Sequence, residues 1–273
     1  MGIDPWPDRL PHGPAGPLTP AGGPRDLQAL SLCARDFANW VIDACVGVVP
    51  AVKPQFAFFE AMGPHGMQVL ADTCARAREA GLLVIADAKR GDIGSTASAY
   101  AAATLGPDAP FPGDALTVNP FLGPDTIEPF LSAADAGGGG VFVLLRTSNP
   151  GSARWQAPVA DDLTGWLAEA GAARVDASGL SNVGVVVGAT KGEALAEARR
   201  KLPHAWILVP GYGAQGASAA DTRAAARSDG LGALIVSARA ATFPAGGFSA
   251  NPGADIRALV RAAREDLARG WGG

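Results

Sequence analysis

The chain has little cysteine: Cys33, Cys45 and Cys74, with no CxxC pair among them. Neither a disulfide framework nor a cysteine zinc site fits that count. Histidine is as sparse. His12, His65 and His204 stand far apart, without HExxH or other ligand spacing, so no metal site is expected. Charged residues make up only 18% of the 273, and 22 basic against 26 acidic residues leave a net charge of −4. That balance argues against a general polyanion binder, so nucleic acid is not an expected partner, although a local basic pocket is allowed. No apolar run approaches the roughly 20 residues of a membrane span. The N-terminus lacks a basic stretch followed by an apolar one, so no secretory signal is visible and a cytoplasmic location is the expectation. Ser148 and Ser237 lack a G-x-S-x-G setting, which counts against a serine hydrolase.

What is present is a hydrophobic fraction of 48%, enough for a large core. From Pro5 to Pro24 prolines and glycines recur every few residues, so residues 5–25 read as an irregular surface loop. From Leu27 onward the pattern alternates. Apolar residues spaced three and four apart predict helices over 27–45, 67–80, 95–104, 125–136, 159–170, 193–200, 218–227 and 255–268. Between them, short continuous apolar runs predict strands over 46–53, 82–87, 115–118, 141–145, 183–187, 206–209 and 233–236. Such runs suit parallel strands buried on both faces. Met1-Gly2-Ile3 is the stub of an eighth. A single (β/α)8 barrel domain spanning 1–273, with a shortened first strand, is the simplest architecture, and a doubly wound open sheet is its competitor.

Asp87-Ala88-Lys89-Arg90-Gly91-Asp92-Ile93-Gly94-Ser95-Thr96 is the densest polar cluster. A solvated loop that caps the next helix would explain an arbitrary stretch of this kind. Here Asp87 and Lys89 are two apart at the C-terminal end of a strand, where barrels place catalytic groups. Asp92 and Thr96, four apart, share a helix face. Lys53 ends the preceding strand and becomes a neighbour of Asp87. The glycine-rich segment 211–216 and Arg239 follow the last two strands. Backbone N–H groups plus one guanidinium there would suit a phosphate dianion.

The decapeptide from Asp87 to Thr96 resembles the signature of the orotidine 5′-phosphate decarboxylase family, in its divergent bacterial type. Gly2-Ile3-Asp4-Pro5, Val52-Lys53-Pro54-Gln55, Val118-Asn119-Pro120-Phe121, Arg146-Thr147-Ser148-Asn149-Pro150-Gly151 and Val209-Pro210-Gly211-Tyr212-Gly213-Ala214-Gln215 extend the likeness over nearly the whole chain. The resemblance implies conversion of orotidine 5′-phosphate to UMP and CO2 in pyrimidine biosynthesis, without a cofactor. It implies a charged tetrad of Lys53, Asp87, Lys89 and Asp92. Asp92, Ile93 and Thr96 would be donated to the partner's site in a homodimer with shared active sites. Asp4 and Thr96 would hold ribose hydroxyls, Ser148 the pyrimidine edge, and Gln215 and Arg239 the phosphate.

Two other readings compete. A Mg2+-dependent sugar-phosphate lyase or decarboxylase of the same barrel superfamily shares the D-x-K-x-x-D element. It is helped by a carboxylate on the second strand, where this chain has Lys53. A non-catalytic nucleotide-binding paralogue is the other. The three-residue stub further predicts that backbone groups in 48–52 and 233–236 lack partners, and that the natural protein begins upstream or is only marginally stable.

Overall fold

Short runs of Val, Ile, Leu and Ala form stable strands only when both faces are covered, and covering them with intervening helices imposes parallel order. The computed structural model, which describes residues 1–11, 26–213 and 216–272, has this arrangement. Eight parallel strands lie in sequential order: β1 (Gly2–Ile3), β2 (Ala51–Pro54), β3 (Leu83–Arg90), β4 (Ala115–Val118), β5 (Gly140–Arg146), β6 (Val183–Val187), β7 (Ile207–Pro210) and β8 (Ala233–Val236). The helices are α1 (Leu27–Cys45), α2 (Phe56–Glu60), α3 (Gly63–Glu79), α4 (Gly94–Ala102), α5 (Glu128–Gly137), α6 (Ser152–Gln156), α7 (Ala160–Ala172), α8 (Gly192–Lys201), α9 (Ala219–Thr222), α10 (Arg239–Thr242) and α11 (Pro252–Gly270). The architecture is the expected (β/α)8 barrel, shortened first strand included.

Strand alternation sorts the apolar residues into two layers. Ile85, Ala115, Phe142, Val186 and Leu208 fill the barrel interior. Their neighbours Val84, Leu116, Val143, Val185 and Ile207 point outward and pack under the helices. Phe142 sets one requirement: a Cβ at Gly184 would stand 2.6 Å from its ring, so β6 passes there only with glycine. On the outside, α1 starts at Asp26, whose side chain accepts the Ala29 N–H at 3.0 Å, and buries a stripe through Leu30, Phe37 and Val41.

Several element boundaries differ from the sequence reading. The strand expected from Val46 begins only at Ala51, because the Val48 and Val49 N–H groups turn back onto Cys45 O at 2.9 and 3.0 Å. β3 continues past Asp87 to Arg90. The helix expected over 218–227 is broken into α9 and a 3-10 turn at Arg223–Ala225. Within the expected irregular loop, Pro7–Arg9 forms a 3-10 turn, and residues 12–25 lie outside the described residues.

The first strand bonds more than its length suggested. The Met1 amino group donates to Ala51 O and Lys53 N–H to Met1 O, both at 2.7 Å, and Gly2 N–H donates to Ser237 O at 2.7 Å. Below that level β8 is only half buried from Ala233 to Ile235. There a cavity of about 620 Å3, lined by Met1, Val49, Leu234, Ile235, Leu267 and Trp271 among others, separates β8 from β2.

Candidate active site

Parallel order brings the C-terminal ends of all the strands to one rim, where a cavity of about 260 Å3 opens. Its polar wall is built by β2, β3 and β4. Asp87, only 6% exposed, stands at the centre. Lys53 Nζ donates to its Oδ2 and Lys89 Nζ to its Oδ1. Gln55 Nε2 donates to Oδ2 at 2.9 Å, and Thr117 Oγ1 donates to Oδ1 at 3.1 Å. Burial opposes ionisation of Asp87, but the two ammonium groups outweigh it and hold the carboxyl well below its ordinary pKa. Burial likewise opposes the charge on Lys53, which is 5% exposed. Asp87 and then Asp4 overcome it, and the Lys53 pKa is raised.

A break in the β3–β4 ladder shapes this wall. Ile85 and Ala86 pair with Ala115 and Leu116, but the next pair is Arg90 with Val118, so β3 bulges through Asp87 and Lys89. Lys89 takes φ 49° in the bulge, and its N–H finds Thr117 Oγ1 at 2.9 Å. Arg90 anchors the far side of the bulge: it pairs with Glu60 and lies over the rings of Phe56 and Tyr100, at 5.7 and 5.2 Å from their centroids.

Asp4, Lys53, Asp87, Lys89, Ser148 and Arg239 all line this cavity. Burial pushes the Asp4 pKa up, the Asp87 charge adds to that, and Lys53 and Arg239 offset it only in part. Its Oδ1 is buried without a hydrogen-bond partner among the described residues. Ser148 sits close over Gly188, where a Cβ would come within 2.9 Å of the serine's own. Its loop is held by Gln156, which bonds the Thr147 N–H at 2.8 Å and the Thr147 hydroxyl at 2.7 Å. Arg239 opens α10 with its guanidinium 5.8 Å from the centre of the Trp6 ring.

Three expected residues lie away from the cavity of their own chain. Ile93 and Thr96 are exposed, and Asp92 Oδ1 accepts the N–H of Ile93 at 2.8 Å. Within one chain, therefore, three members of the expected tetrad meet and Asp92 stands apart. Gln215 lies outside the described residues. The expected cradle of N–H groups in the glycine-rich loop is reduced, because the Gly213 N–H is used by Ala217 O and the Gly216 N–H by Gly213 O, both at 3.1 Å. Tyr212 ties this loop to α11 through a 2.6 Å bond to Asp266.

The sequence reading did not single out Gln55, Thr117 or the apolar wall of Leu144, Val186 and Leu208. Gln55 had a signal, being two residues from Lys53 on an extended stretch. Thr117 had one also, as the polar residue in the interior register of Ala115.

The model of the orotidine 5′-phosphate decarboxylase / HUMPS family matches residues 28–243. The chain is 45% identical over 253 residues to the orotidine 5′-phosphate decarboxylase of Rhodopirellula baltica, covering 89% of this chain and 82% of that one. To the enzyme of that name from Roseiflexus castenholzii it is 41% identical over 273 residues, 98% of this chain and 89% of that one. Among solved structures, the OMP decarboxylase of Leishmania donovani superposes with a TM-score of 0.69 at 33% identity, over 89% of each chain. With a family match over most of its length and relatives this similar, the chain belongs to the orotidine 5′-phosphate decarboxylase / HUMPS family.

Proposed function

We propose that the chain is a cytoplasmic, single-domain decarboxylase that converts orotidine 5′-phosphate to UMP and CO2. The observation that carries this reading is the row Lys53–Asp87–Lys89 in the rim cavity of a family barrel. Arg239 takes the phosphate, Asp4 a ribose hydroxyl and Ser148 the pyrimidine edge. This places C6 of the ring beside Lys89 and its carboxylate beside Asp87. The C6–carboxylate bond breaks, CO2 leaves, and the electron pair stays on C6. The Lys89 ammonium stabilises that developing charge and then delivers its proton to C6; the neutral amine regains a proton from water.

Two like charges about 3 Å apart at an effective dielectric near 20 repel by roughly 5 kcal/mol. Relief of that repulsion between Asp87 and the departing carboxylate assists the step. A barrier reduction of about 20 kcal/mol or more needs further sources, and binding of the remote phosphate supplies positioning energy.

The neutral donor Gln55 and the ammonium of Lys53 occupy the near side of Asp87, where a divalent cation would compete with a fixed positive charge. This supports a metal-independent step. The buried thiols of Cys45 and Cys74, outside any disulfide, fit a reducing compartment.

Exposed apolar residues flank the loops after β3 and β4: Ile93 at 63% exposure, Phe121 at 79% and Leu122 at 50%. Together with the position of Asp92 and Thr96 outside their own cavity, they support a homodimer in which Asp92, Ile93 and Thr96 complete the partner's site.

A UV assay of orotidine 5′-phosphate consumption by the purified chain, with and without EDTA, tests this reading. Equal turnover in both is expected. Turnover abolished by EDTA would favour a Mg2+-dependent reaction, and UMP binding without turnover would indicate a binding protein.

A further inference from the structure

Thr117 is fully buried and touches both members of the reacting pair. Its Oγ1 accepts the main-chain N–H of Lys89 at 2.9 Å and lies 3.1 Å from Asp87 Oδ1. The Ala86 carbonyl is the alternative acceptor for its one proton, at 3.5 Å. The ionised carboxylate is both closer and the stronger acceptor, so the proton goes to Asp87.

The Lys89 N–H needs this partner. The ladder between β3 and β4 slips between Ala86 and Arg90, and the bulge takes Lys89 out of regular pairing. Lys89 is the one non-glycine residue with positive φ among the described residues. A left-handed conformation of that kind in a residue with a Cβ persists only where its surroundings fix it. The Thr117 hydroxyl replaces the acceptor lost to the slip, and with the same atom it orients the carboxylate that Lys89 grips.

We infer that Thr117 is a positioning residue for the decarboxylation: its hydroxyl holds the Lys89 backbone and the Asp87 carboxylate in one fixed relation at the reacting carbon. The inference rests on the roles proposed above for Asp87 and Lys89. Thr117→Val keeps the branched shape and removes the hydroxyl. We expect kcat to fall roughly 10- to 100-fold, as misplacement of reacting groups does, with KM changed less than about threefold because the phosphate and ribose contacts lie elsewhere. Thr117→Ser restores the hydroxyl, and its kcat is expected within about threefold of wild type. A role in packing alone would reverse that order, since serine leaves the larger void.

Lys89→Ala is assayed alongside. If it is inactive while Thr117→Val turns over within about twofold of wild type, the inference about Thr117 is overturned and the role of Lys89 stands. If Lys89→Ala is active, both fall. Should Thr117→Val fail to fold, Thr117→Ala carries the same deletion, and equal kcat in Thr117→Ala and Thr117→Ser would overturn the inference.

Discussion

Lys53 and Lys89 approach the Asp87 carboxylate from opposite edges, Lys53 at Oδ2 and Lys89 at Oδ1. The two ammonium groups differ in their surroundings. Lys53 is buried, whereas the Lys89 side chain is 44% exposed and open to the cavity. One lysine can therefore serve as fixed counter-charge and the other as the group that meets substrate.

Asp87→Asn separates these parts. It leaves Lys53 buried beside a neutral amide, and breaking a buried pair this way costs about 3–5 kcal/mol. Lys53 has its pKa raised in the fold, so its stabilisation is full below the ordinary lysine value and is lost as pH rises through the raised one. Asp87 has its pKa depressed, so its share is full above the ordinary carboxyl value and is lost only as pH falls through the depressed one. The Tm gap between wild type and Asp87→Asn should be widest across the neutral range and close at both extremes. A gap independent of pH would contradict this electrostatic origin.

Asp4→Asn should act in the other direction on stability. The raised pKa of Asp4 means that its stabilisation is full below the ordinary carboxyl value and is lost as pH rises, so the ionised group is a burden at neutral pH. Removing that buried charge is expected to raise stability, by roughly 2–4 °C in Tm for each 1 kcal/mol gained, while weakening UMP binding. A lower Tm with unchanged UMP affinity would show that Asp4 is structural.

The site was legible in the sequence where chemistry is local. Asp87 and Lys89 lie two apart at a strand end, and Lys53 ends the neighbouring strand, so strand order alone brings them together. The bulge and the conformation of Lys89 were not legible, because a register slip between β3 and β4 carries no signal in either strand. The glycine-rich loop was legible in part. Its composition announces free N–H groups, but Gly213 and Gly216 spend theirs inside the loop.

Subunit mixing tests the proposed shared site. Asp92→Ala and Lys89→Ala proteins, each inactive alone, should regain activity when their subunits exchange. In a mixed dimer both defects fall in one site and leave the other intact. No recovery after verified exchange would place Asp92 outside the partner's chemistry.

The gap between β2 and β8 makes a prediction about stability. Placing four β-branched residues ahead of Met1 should extend β1 into the cavity beside Leu234 and Ile235. Such residues would pair with half-buried β8 and bury apolar area worth roughly 1.5 kcal/mol or more per side chain. A higher Tm is expected, and an unchanged one would show that the space does not accept a strand.

The most direct test compares Lys89→Ala with wild type in two measurements, single-turnover decarboxylation of orotidine 5′-phosphate and binding of a UMP analogue. In the proposed role Lys89 acts on the charge that develops at the reacting carbon, so decarboxylation should vanish while analogue affinity largely survives. Near-normal turnover in a folded Lys89→Ala protein would contradict the assignment of the Lys53–Asp87–Lys89 row as the decarboxylating centre.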